Sequence, residues 1–396
     1  DEIFPNKETP TGQPVILAML DLAYYPKERG PYNYNTENIN PANGEFLNPE
    51  KMWGGIMRKV ETTDFEATNM EYIEFWLMDP FINPEGLGET LPNPPTGEIY
   101  FNLGDISEDV LRDSRKSFEN GLPTTTTVTD VDTTIWGRVP TIQALTNSFD
   151  NNPDSRQFQD VGYDGLMDDD ERSFFDSAYI QKLPINLQAA AKTDPSSDNY
   201  HYFRGSDYDN ESKNILERYK KYNGIDGNSP ASTQSEESYP TQSTTIPNTE
   251  DINKDNTLSE SERYFQYRIE LSPGKMVVGE NYITDMYEAP AVLLSNDKKA
   301  KVKWYQFKIP IKNPDKVVGN IQDFKSIRFM RMFMKGWAES TVLRFASLEL
   351  VRGEWRKYNL SLVPGEYEMD DNNNTTFDVS VVNIEENAEK IPVPYV

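Results

Sequence analysis

The chain of 396 residues contains no cysteine and a single histidine. The absence of cysteine excludes disulfide bonds, thiolate zinc sites and cysteine nucleophiles. A histidine-rich metal site is excluded as well, and a Ser/His/Asp triad could be built only around His201. That residue lies among aromatic side chains in DNYHYFRG, so we interpret it as structural. No apolar run reaches the roughly 18–20 residues that a membrane-spanning helix needs.

Positive charge is scarce in this sequence. Lys and Arg number 39 against 65 Asp and Glu, which gives a net charge of -26. Such a balance argues against nucleic acid or an anionic membrane surface as the main partner, because phosphates would be repelled, and it favours divalent cations. Aromatic residues make up 12%, with 27 prolines and 22 glycines. This composition indicates a β-rich, loop-rich protein rather than a helical bundle.

Strand-like segments occur in both the first and the last third of the chain. MEYIEFWLMDPF (residues 70–81) is too densely apolar for a half-exposed strand and predicts a central strand buried on both faces. In KSIRFMRMFMKGW (residues 325–337), Ile327, Phe329 and the other odd positions alternate with Arg328, Met330 and their neighbours, which predicts a strand with two distinct faces. GEIYFNLGDIS and STVLRFASLEL share a pattern that suggests a weak internal duplication, although chance similarity between β-rich segments is an alternative. The predicted class is mainly β, with two antiparallel β-sandwich units of jelly-roll or galactose-binding type.

The expected organisation has three parts. Residues 1–150 form an N-terminal β-sandwich unit with a long leading loop, and residues 263–396 form a C-terminal β-sandwich unit. Residues 151–262 connect them. The connecting region contains two helix-like segments, DERSFFDSAYIQKL and ESKNILERYKKYNG, and a Ser/Thr-rich surface segment at residues 227–250. It also contains two acidic loops.

The second acidic loop, DINKDNTLSESE, follows the spacing of an EF-hand calcium loop. Calcium takes six to eight oxygen ligands, and the loop supplies them from positions 1, 3, 5, 7, 9 and 12. These positions hold Asp251, Asn253, Asp255, Thr257 through its carbonyl group, Ser259 and Glu262. Leu258 is expected to anchor the loop to the core. Asn256 replaces the usual glycine at position 6, where the turn needs a positive φ.

The first acidic loop, DVGYDGLMDDDE, has the same form. The expected ligands are Asp160, Asp164, Leu166 through its carbonyl group, Asp168 and Glu171. Gly162 at position 3 offers no side chain, so a water molecule or a neighbouring residue must fill that place. We expect bound calcium in a structural role at both loops, and prefer it to magnesium, which favours water-rich octahedra. The alternative is that both loops are solvated acidic turns.

No enzymatic site emerges from the sequence. Carboxylates such as Asp105 and Glu108 could suggest a glycosidase, but nothing identifies a pair across a cleft. We therefore predict that the chain is not an enzyme. A carbohydrate-binding module is the alternative, since β-sandwiches often stack sugars on exposed tryptophans. Trp53 and Trp337 lie beside glycines and are the candidates for exposure, whereas Trp76 and Trp304 are expected in the core.

Several long segments resemble one protein family, in order and over nearly the whole chain. They are LAYYPKERGPYNYN, WGGIMRKVETTDFEATNMEYIEFWLMDPF, GEIYFNLGDISEDVLRDSRKSFENGLP, GYDGLMDDDE, ILERYKKYNG, EDINKDNTLSESERYFQYRI and FKSIRFMRMFMKGWAESTVLRFASLELVRGEWRKY. Together they resemble the SprA/Sov family, the giant outer-membrane translocons of the type IX secretion system, also called gliding-motility proteins.

The resemblance implies that this chain is a fragment, because family members are several times longer and form a very large β-barrel with soluble inserts. It implies a non-enzymatic, soluble portion that supports protein export and gliding motility. The implied partners are the rest of the barrel, accessory secretion or gliding proteins and secreted cargo. No nucleic acid is expected, and membrane contact only through the missing barrel part. The implied location is the outer membrane, extracytoplasmic, with the cell surface favoured over the periplasm.

Overall fold

The computed structural model of the chain describes most of its first 353 residues. The described ranges are 18–83, 85, 87–118, 121–126, 129–142, 150–159, 162–199, 201–220, 222, 250–294 and 297–353. The predicted Ser/Thr-rich segment lies outside these ranges except for Glu250, and so does Asp160. Within the described ranges, no helix combines the length and the apolar character that crossing a bilayer requires.

The described residues form sixteen strands and five α-helices. The strands are β1 (Met19–Tyr24), β2 (Trp53–Lys59), β3 (Met70–Met78), β4 (Ile82–Asn83), β5 (Glu89–Thr90), β6 (Gly97–Asp105), β7 (Val131–Thr133), β8 (Arg138–Pro140), β9 (Arg263–Leu271), β10 (Ile283–Glu288), β11 (Val292–Leu293), β12 (Lys299–Ala300), β13 (Lys303–Pro310), β14 (Lys316–Val318), β15 (Phe329–Lys335) and β16 (Thr341–Arg352). The helices are α1 (Pro153–Arg156), α2 (Asp168–Phe174), α3 (Ile185–Ala191), α4 (Ser206–Asn210) and α5 (Ile215–Lys220).

Ten of these strands form two five-stranded antiparallel sheets. The first sheet has the order β1-β16-β3-β13-β10, and the second has the order β14-β9-β6-β15-β2. The mainly β, antiparallel class is therefore confirmed. The pairing differs from the two separate units that the sequence suggested, because strands from the first and last thirds of the chain alternate within both sheets. Each half lacks the neighbours that would satisfy its own backbone hydrogen bonds, and it obtains them from the other half.

The two sheets pack face to face around one large apolar core. Phe75 of β3 stacks on Phe307 of β13, with ring centroids 4.9 Å apart, and meets Phe345 of β16 at 5.4 Å. Phe101 of β6 reaches it from the second sheet at 5.6 Å. All four rings are fully buried. Burying a phenylalanine contributes about 1.5–3 kcal/mol, so this contact joins the sheets strongly.

The central position predicted for residues 70–81 is confirmed, since β3 lies between β16 and β13. Its second face contacts a smaller cluster in which Trp76, Trp304 and Ala346 are buried. The burial of Trp76 and Trp304 agrees with the sequence analysis, and so does the exposure of Trp53. The expectation of an exposed Trp337 is wrong, because its ring is fully buried against Gly97, where a side chain would collide with it.

In β15 the predicted alternation separates two chemically different faces. Met330, Met332 and Met334 pack on the sandwich core. Arg331 and Phe333 face outward, where Arg331 reaches the acidic loop at residues 251–262. The core-facing set is thus the methionines, whose flexible side chains fill irregular space between the sheets.

The connecting region forms a second, smaller core beside the sandwich. Its buried members are Leu166, Phe175, Tyr179, Ile180, Leu183 and Ala191. The leading loop packs onto this core, since Tyr34 stacks on Phe175 with centroids 4.2 Å apart and meets Tyr179 edge-on at 5.5 Å. The helix expected after residue 170 begins slightly earlier, at Asp168. This packing holds the first acidic loop against residues that are distant in sequence.

Candidate functional site: an acidic cluster around Glu171

Five carboxylates from two segments meet beside the second core. One oxygen each from Asp164, Glu171 and Asp198 lie within 4.8 Å of one another, and so do oxygens from Asp168, Glu171 and Asp194. Glu171 belongs to both groups. We call these five residues the Glu171 cluster. Asp164, Glu171 and Asp198 are buried to within 1% of full enclosure, whereas Asp168 and Asp194 are partly exposed.

The local backbone explains how a short loop gathers its carboxylates. Gly162 and Gly165 have φ values of 71° and 65°, in the left-handed region that favours glycine. After this tight turn, α2 begins at Asp168 and carries Glu171 in its first turn. Leu166 is buried in the second core, which anchors the loop. Its backbone amide donates to Asp164 Oδ1 at 3.0 Å.

The second segment, residues 194–199, is tied to the loop by hydrogen bonds. The Ser196 amide donates to Glu171 Oε2 at 2.9 Å, and the Ser196 hydroxyl donates to Asp164 Oδ2 at 2.6 Å. Asn199 Nδ2 donates to Asp168 at 3.0 Å. On the opposite side, the Tyr32 hydroxyl donates to Asp198 Oδ2 at 2.9 Å. The leading loop therefore closes the cluster from a third direction.

Asp198 occupies the place that the sequence analysis left empty. A Cβ atom added to Gly162, position 3 of the loop, would collide with Asp198 Oδ2 and with the Tyr32 hydroxyl. The neighbouring residue expected to fill this place is thus a carboxylate from residues 194–199. Sequence reasoning missed Asp194 and Asp198. The available signal was the spacing Asp-x-x-x-Asp in TDPSSD directly after a helix-like segment, which is too common to identify a ligand pair by itself.

The electrostatics of the cluster are unfavourable as long as all its members are charged. Burial raises the pKa of Glu171, and the nearby charges of Asp164 and Asp198 raise it further. Burial likewise raises the pKa of Asp164 and of Asp198. Among the described residues, no lysine or arginine forms an ion pair with Asp164 or Glu171; Arg172 pairs with Asp169 instead.

One oxygen of the cluster has no partner. Glu171 Oε1 is enclosed and accepts no hydrogen bond, whereas Oε2 accepts from Ser196. A buried acceptor without a partner costs about 1–3 kcal/mol, and more when it is charged. The arrangement is therefore suited to binding a cation. Its oxygen-only side chains are those that calcium and magnesium prefer.

The second predicted loop, residues 251–262, is organised differently. Asp251 accepts the backbone amides of Asp255 and Asn256, both at 2.9 Å, and Asn253 Oδ1 accepts the Asp255 amide at 2.8 Å. Asn256 has a φ of 61°, as position 6 requires, and Leu258 is buried as expected. Thr257 donates its amide to Asp255 Oδ1 at 2.9 Å. All of these hydrogen bonds lie within the loop.

Arginine side chains form ion pairs with two carboxylates of this loop, those of Asp255 and Glu262. Arg328 Nη2 lies 2.8 Å from Asp255 Oδ2, and its Nη1 lies 3.0 Å from Ser259 Oγ. Arg331 contacts both oxygens of Glu262 at 3.0 and 3.1 Å. Within the described residues, the groups of three carboxylates that could hold a metal lie around Glu171 and include none from 251–262. Calcium at this loop stays a prediction.

A buried carboxylate supports the same loop from below. Glu108 is fully buried and accepts the amides of Ile252 at 2.9 Å and of Asn253 and Ser259 at 3.3 Å. Burial raises its pKa, and these amides oppose the rise. Glu108 therefore accepts hydrogen bonds from three backbone amides of the loop. This carboxylate is structural rather than open to a substrate.

One exposed and two half-buried aromatic rings form a row on the outer face of the second sheet. Trp53, whose side chain is 70% exposed, meets Phe333 at 6.5 Å between centroids, and Phe333 stacks on Tyr100 at 4.7 Å. The three rings belong to the adjacent strands β2, β15 and β6. Phe333 also covers Gly55, where an added side chain would collide with it. The row can stack a flat ligand, and it also protects an edge strand rich in glycine.

A comparison with known protein families gives a match over the second half of the chain. A family model, SprA_N, described as "Motility related/secretion protein", matches residues 178–396. The matched range contains Asp194 and Asp198, and it begins after the loop that carries Asp164 and Glu171. No curated protein matches the chain.

Proposed function

Because the chain belongs to the SprA_N family of motility-related and secretion proteins, we propose that it is a non-enzymatic, extracytoplasmic part of the outer-membrane translocon of the type IX secretion system. The family match carries the proposal, since it spans more than half of the chain. In this role the chain supports the export of folded cargo across the outer membrane and gliding motility. Its surface-facing location and its partners, the barrel, accessory proteins and cargo, are parts of the same proposal.

The burial and the contacts of the ionisable groups support a structural role. The buried carboxylates Asp164, Glu171 and Asp198 lie inside the fold rather than across an open cleft. A cavity next to Asp164, lined also by Trp136 and Arg138, has about 10 Å³, the room of one water molecule. His201 stacks on Tyr208 and contacts an exposed aspartate, which suits a structural histidine.

The sheet edges offer surfaces for the proposed partners. Among the described strands, β1 and β10 are the outer ones of the first sheet, and β14 and β2 are those of the second. Apolar side chains are exposed along them, among them Leu20, Trp53, Ile56 and Val317. Unpaired strand edges bind further strands, and natural proteins usually cover or charge them. Neighbouring parts of a longer translocon are suitable covers.

The test uses a bacterium with type IX secretion that carries this protein in its full-length form. Residues 18–353 are removed in frame, and an immunoblot of the outer-membrane fraction verifies that the shortened protein is present. We expect cargo to accumulate in the periplasm and gliding to stop. Normal secretion and gliding with the shortened protein in place would contradict the proposal.

A second candidate function rests on the aromatic row. Trp53 is exposed at the edge of a β-sandwich, next to Phe333 and Tyr100, so a calcium-stabilised carbohydrate-binding module at the cell surface is the alternative. A glycan array with the purified chain distinguishes the two. Binding that is lost in Trp53→Ala and kept in Trp136→Ala would favour the alternative; an array without hits would remove it.

A further inference from the structure

The Glu171 cluster is an enclosed group of carboxylates that could hold a cation. Two chain segments and the leading loop enclose it, and its three inner carboxylates are almost completely shielded from solvent. Proteins bury a carboxylate only when a cation, a metal or hydrogen bonds compensate it. Ser196 supplies two hydrogen bonds here, Tyr32 supplies a third, and the Leu166 amide supplies a fourth.

Those hydrogen bonds do not compensate every oxygen. Glu171 Oε1 is enclosed and has no hydrogen-bond partner, and Glu171 is the residue that belongs to both carboxylate groups. This observation is independent of the number of acidic residues, because acidic side chains at a surface turn would have water around each oxygen. An unsatisfied, buried oxygen on Glu171, the residue that is grouped with four other carboxylates, points to a bound cation.

The chemistry of the donors selects the ion. The side chains offer oxygen atoms alone: the sequence has no cysteine, and neither group of carboxylates includes a histidine, so the donor set lacks the sulfur and nitrogen ligands that zinc prefers. Calcium accepts several carboxylates at irregular angles, whereas magnesium keeps most of its waters in a strict octahedron. The crowded, buried set of Asp164, Glu171 and Asp198 fits the first of these two ions.

We propose that Asp164, Glu171 and Asp198, with Asp168 and Asp194 at the rim, bind one calcium ion that fastens residues 194–199 to the loop before α2. Asp198 takes the role that a side chain at position 3 has in an EF-hand loop, and Glu171 takes the role of the closing glutamate. The site does not depend on the secretion role. It differs from the set read from the sequence, because two of its ligands come from outside the twelve-residue loop.

The first experiment measures the melting temperature of the purified full chain in chelator and in calcium. At a calcium concentration 100 times the Kd, we expect a rise of about 3 °C for a chain of this size. Magnesium at the same concentration should give a much smaller rise. An equal response to magnesium would overturn the assignment to calcium, and equal melting temperatures in chelator and in calcium would overturn the site.

The decisive variant is Glu171→Gln. It removes the charge at the centre of the cluster and keeps the shape, so we expect the calcium-dependent rise to be lost. In chelator the variant should melt at or above the temperature of the unchanged chain, because the mutual repulsion of carboxylates is reduced. This melting temperature in chelator also shows that the variant folds. A full calcium response in Glu171→Gln would contradict the proposal.

Two matched controls locate the ion. Asp170→Asn changes the exposed neighbour of Glu171 on the same helix and should keep the whole calcium response. Glu262→Gln changes the last position of the other loop and should keep it too. If Glu262→Gln abolishes the response while Glu171→Gln keeps it, the ion belongs to residues 251–262.

Terbium luminescence provides a direct reading of the ion. Tyr32 donates to Asp198 at 2.9 Å, so a lanthanide at the cluster lies close enough to accept energy from an excited tyrosine. We expect tyrosine-sensitised terbium emission from the unchanged chain and from Asp170→Asn. Added calcium should displace the terbium and reduce this emission. Emission that persists at full strength in Glu171→Gln would overturn the site.

Discussion

Arg331 contacts Glu262 with two guanidinium nitrogens, at 3.0 and 3.1 Å from the two carboxylate oxygens. Glu262 is the residue that the sequence assigns to the closing, bidentate position of a calcium loop. Both of its oxygens therefore already have a bidentate partner of positive charge. The pair joins the acidic loop to β15 in the second sheet, and both side chains are about three-quarters buried.

We expect Arg331→Met to destabilise the chain by about 1 kcal/mol, since it removes two charge-assisted hydrogen bonds at a partly buried position. Denaturant unfolding measures the change. Arg58→Met, an exposed arginine on the adjacent strand β2, is the control and should lie within about 0.5 kcal/mol of the unchanged chain. Equal effects of the two substitutions would show that the pair with Glu262 contributes nothing.

Gly162→Ala should cost more than the strain of a left-handed alanine alone. The φ of Gly162 is 71°, and the added methyl group would collide with Asp198 and Tyr32. Gly279→Ala is the control, because its φ is 93° and nothing lies within 4 Å of an added Cβ. We expect a loss of about 1 kcal/mol for the control and at least about twice that for Gly162→Ala, measured by thermal unfolding. Similar losses would mean that Asp198 can move away freely.

Gly97→Ala tests the burial of Trp337. The methyl group would meet the indole ring, which is fully buried and whose Nε1 donates to the Glu98 carbonyl at 3.3 Å. We expect a loss of about 2–3 kcal/mol in the free energy of unfolding from overpacking. Gly274→Ala, with open space around its Cβ, should change stability by less than about 0.5 kcal/mol. A tolerated Gly97→Ala would indicate that the indole ring can leave its position.

The interleaved sheets predict that neither half folds alone. In a fragment of residues 263–353, β16, β15 and β13 lose their neighbours β3 and β6, and the remaining pairs are β9 with β14, β13 with β10 and the short β11 with β12. Isolated two-stranded ribbons are marginal in water. We expect an NMR spectrum with the narrow dispersion of an unfolded chain. A well-dispersed spectrum of the isolated fragment would instead support an independent C-terminal unit.

Asp79 and Asp21 should show opposite pH dependence. Burial raises the pKa of Asp79, against the hydrogen bond from the Phe81 amide and the charge of Lys303. A carboxylate with a raised pKa in the folded state weakens the fold when it is charged. Asp79→Asn, which keeps the acceptor oxygen, should therefore raise the melting temperature at neutral pH, with a gain that shrinks as the pH falls through the raised pKa.

For Asp21 the hydrogen bond from Arg344 lowers the pKa. Its charge then stabilises the fold above the pKa of the unfolded chain, and this contribution is lost as the pH falls through the lowered pKa of the folded state. Asp21→Asn should cost less than about 1 kcal/mol at neutral pH, because the pair is exposed, and nothing in strong acid. Thermal unfolding from neutral to acidic pH checks both variants, and equal signs would contradict the expectation.

The strands were predictable because their signals are local. The dense apolar run of residues 70–81 indicated a central strand, and β3 is one. The alternation in residues 325–337 indicated a strand with two distinct faces, and β15 has them. Trp337 was misjudged because a neighbouring glycine suggests a turn, while the cover over its ring comes from Gly97, which is far away in the chain.

The site was half predictable. The spacing of Asp164, Asp168 and Glu171 in one short loop is a local pattern, and the structure brings these residues together. Asp194 and Asp198 were missed because they join the loop only after the intervening helices pack against Tyr34 and the leading loop. The arginines that bind Asp255 and Glu262 come from β15 and the residue before it, at a separation that no spacing rule covers.

By itself, then, the sequence determined the class of fold, the family and the segments that become strands and acidic loops, since periodicity, turn residues and charge act between near neighbours. Tertiary structure alone decided which strands pair and which carboxylates keep an unsatisfied oxygen. Those outcomes follow from packing between distant segments, where a lysine, an arginine or an ion competes for the same oxygen and only the folded geometry selects one of them.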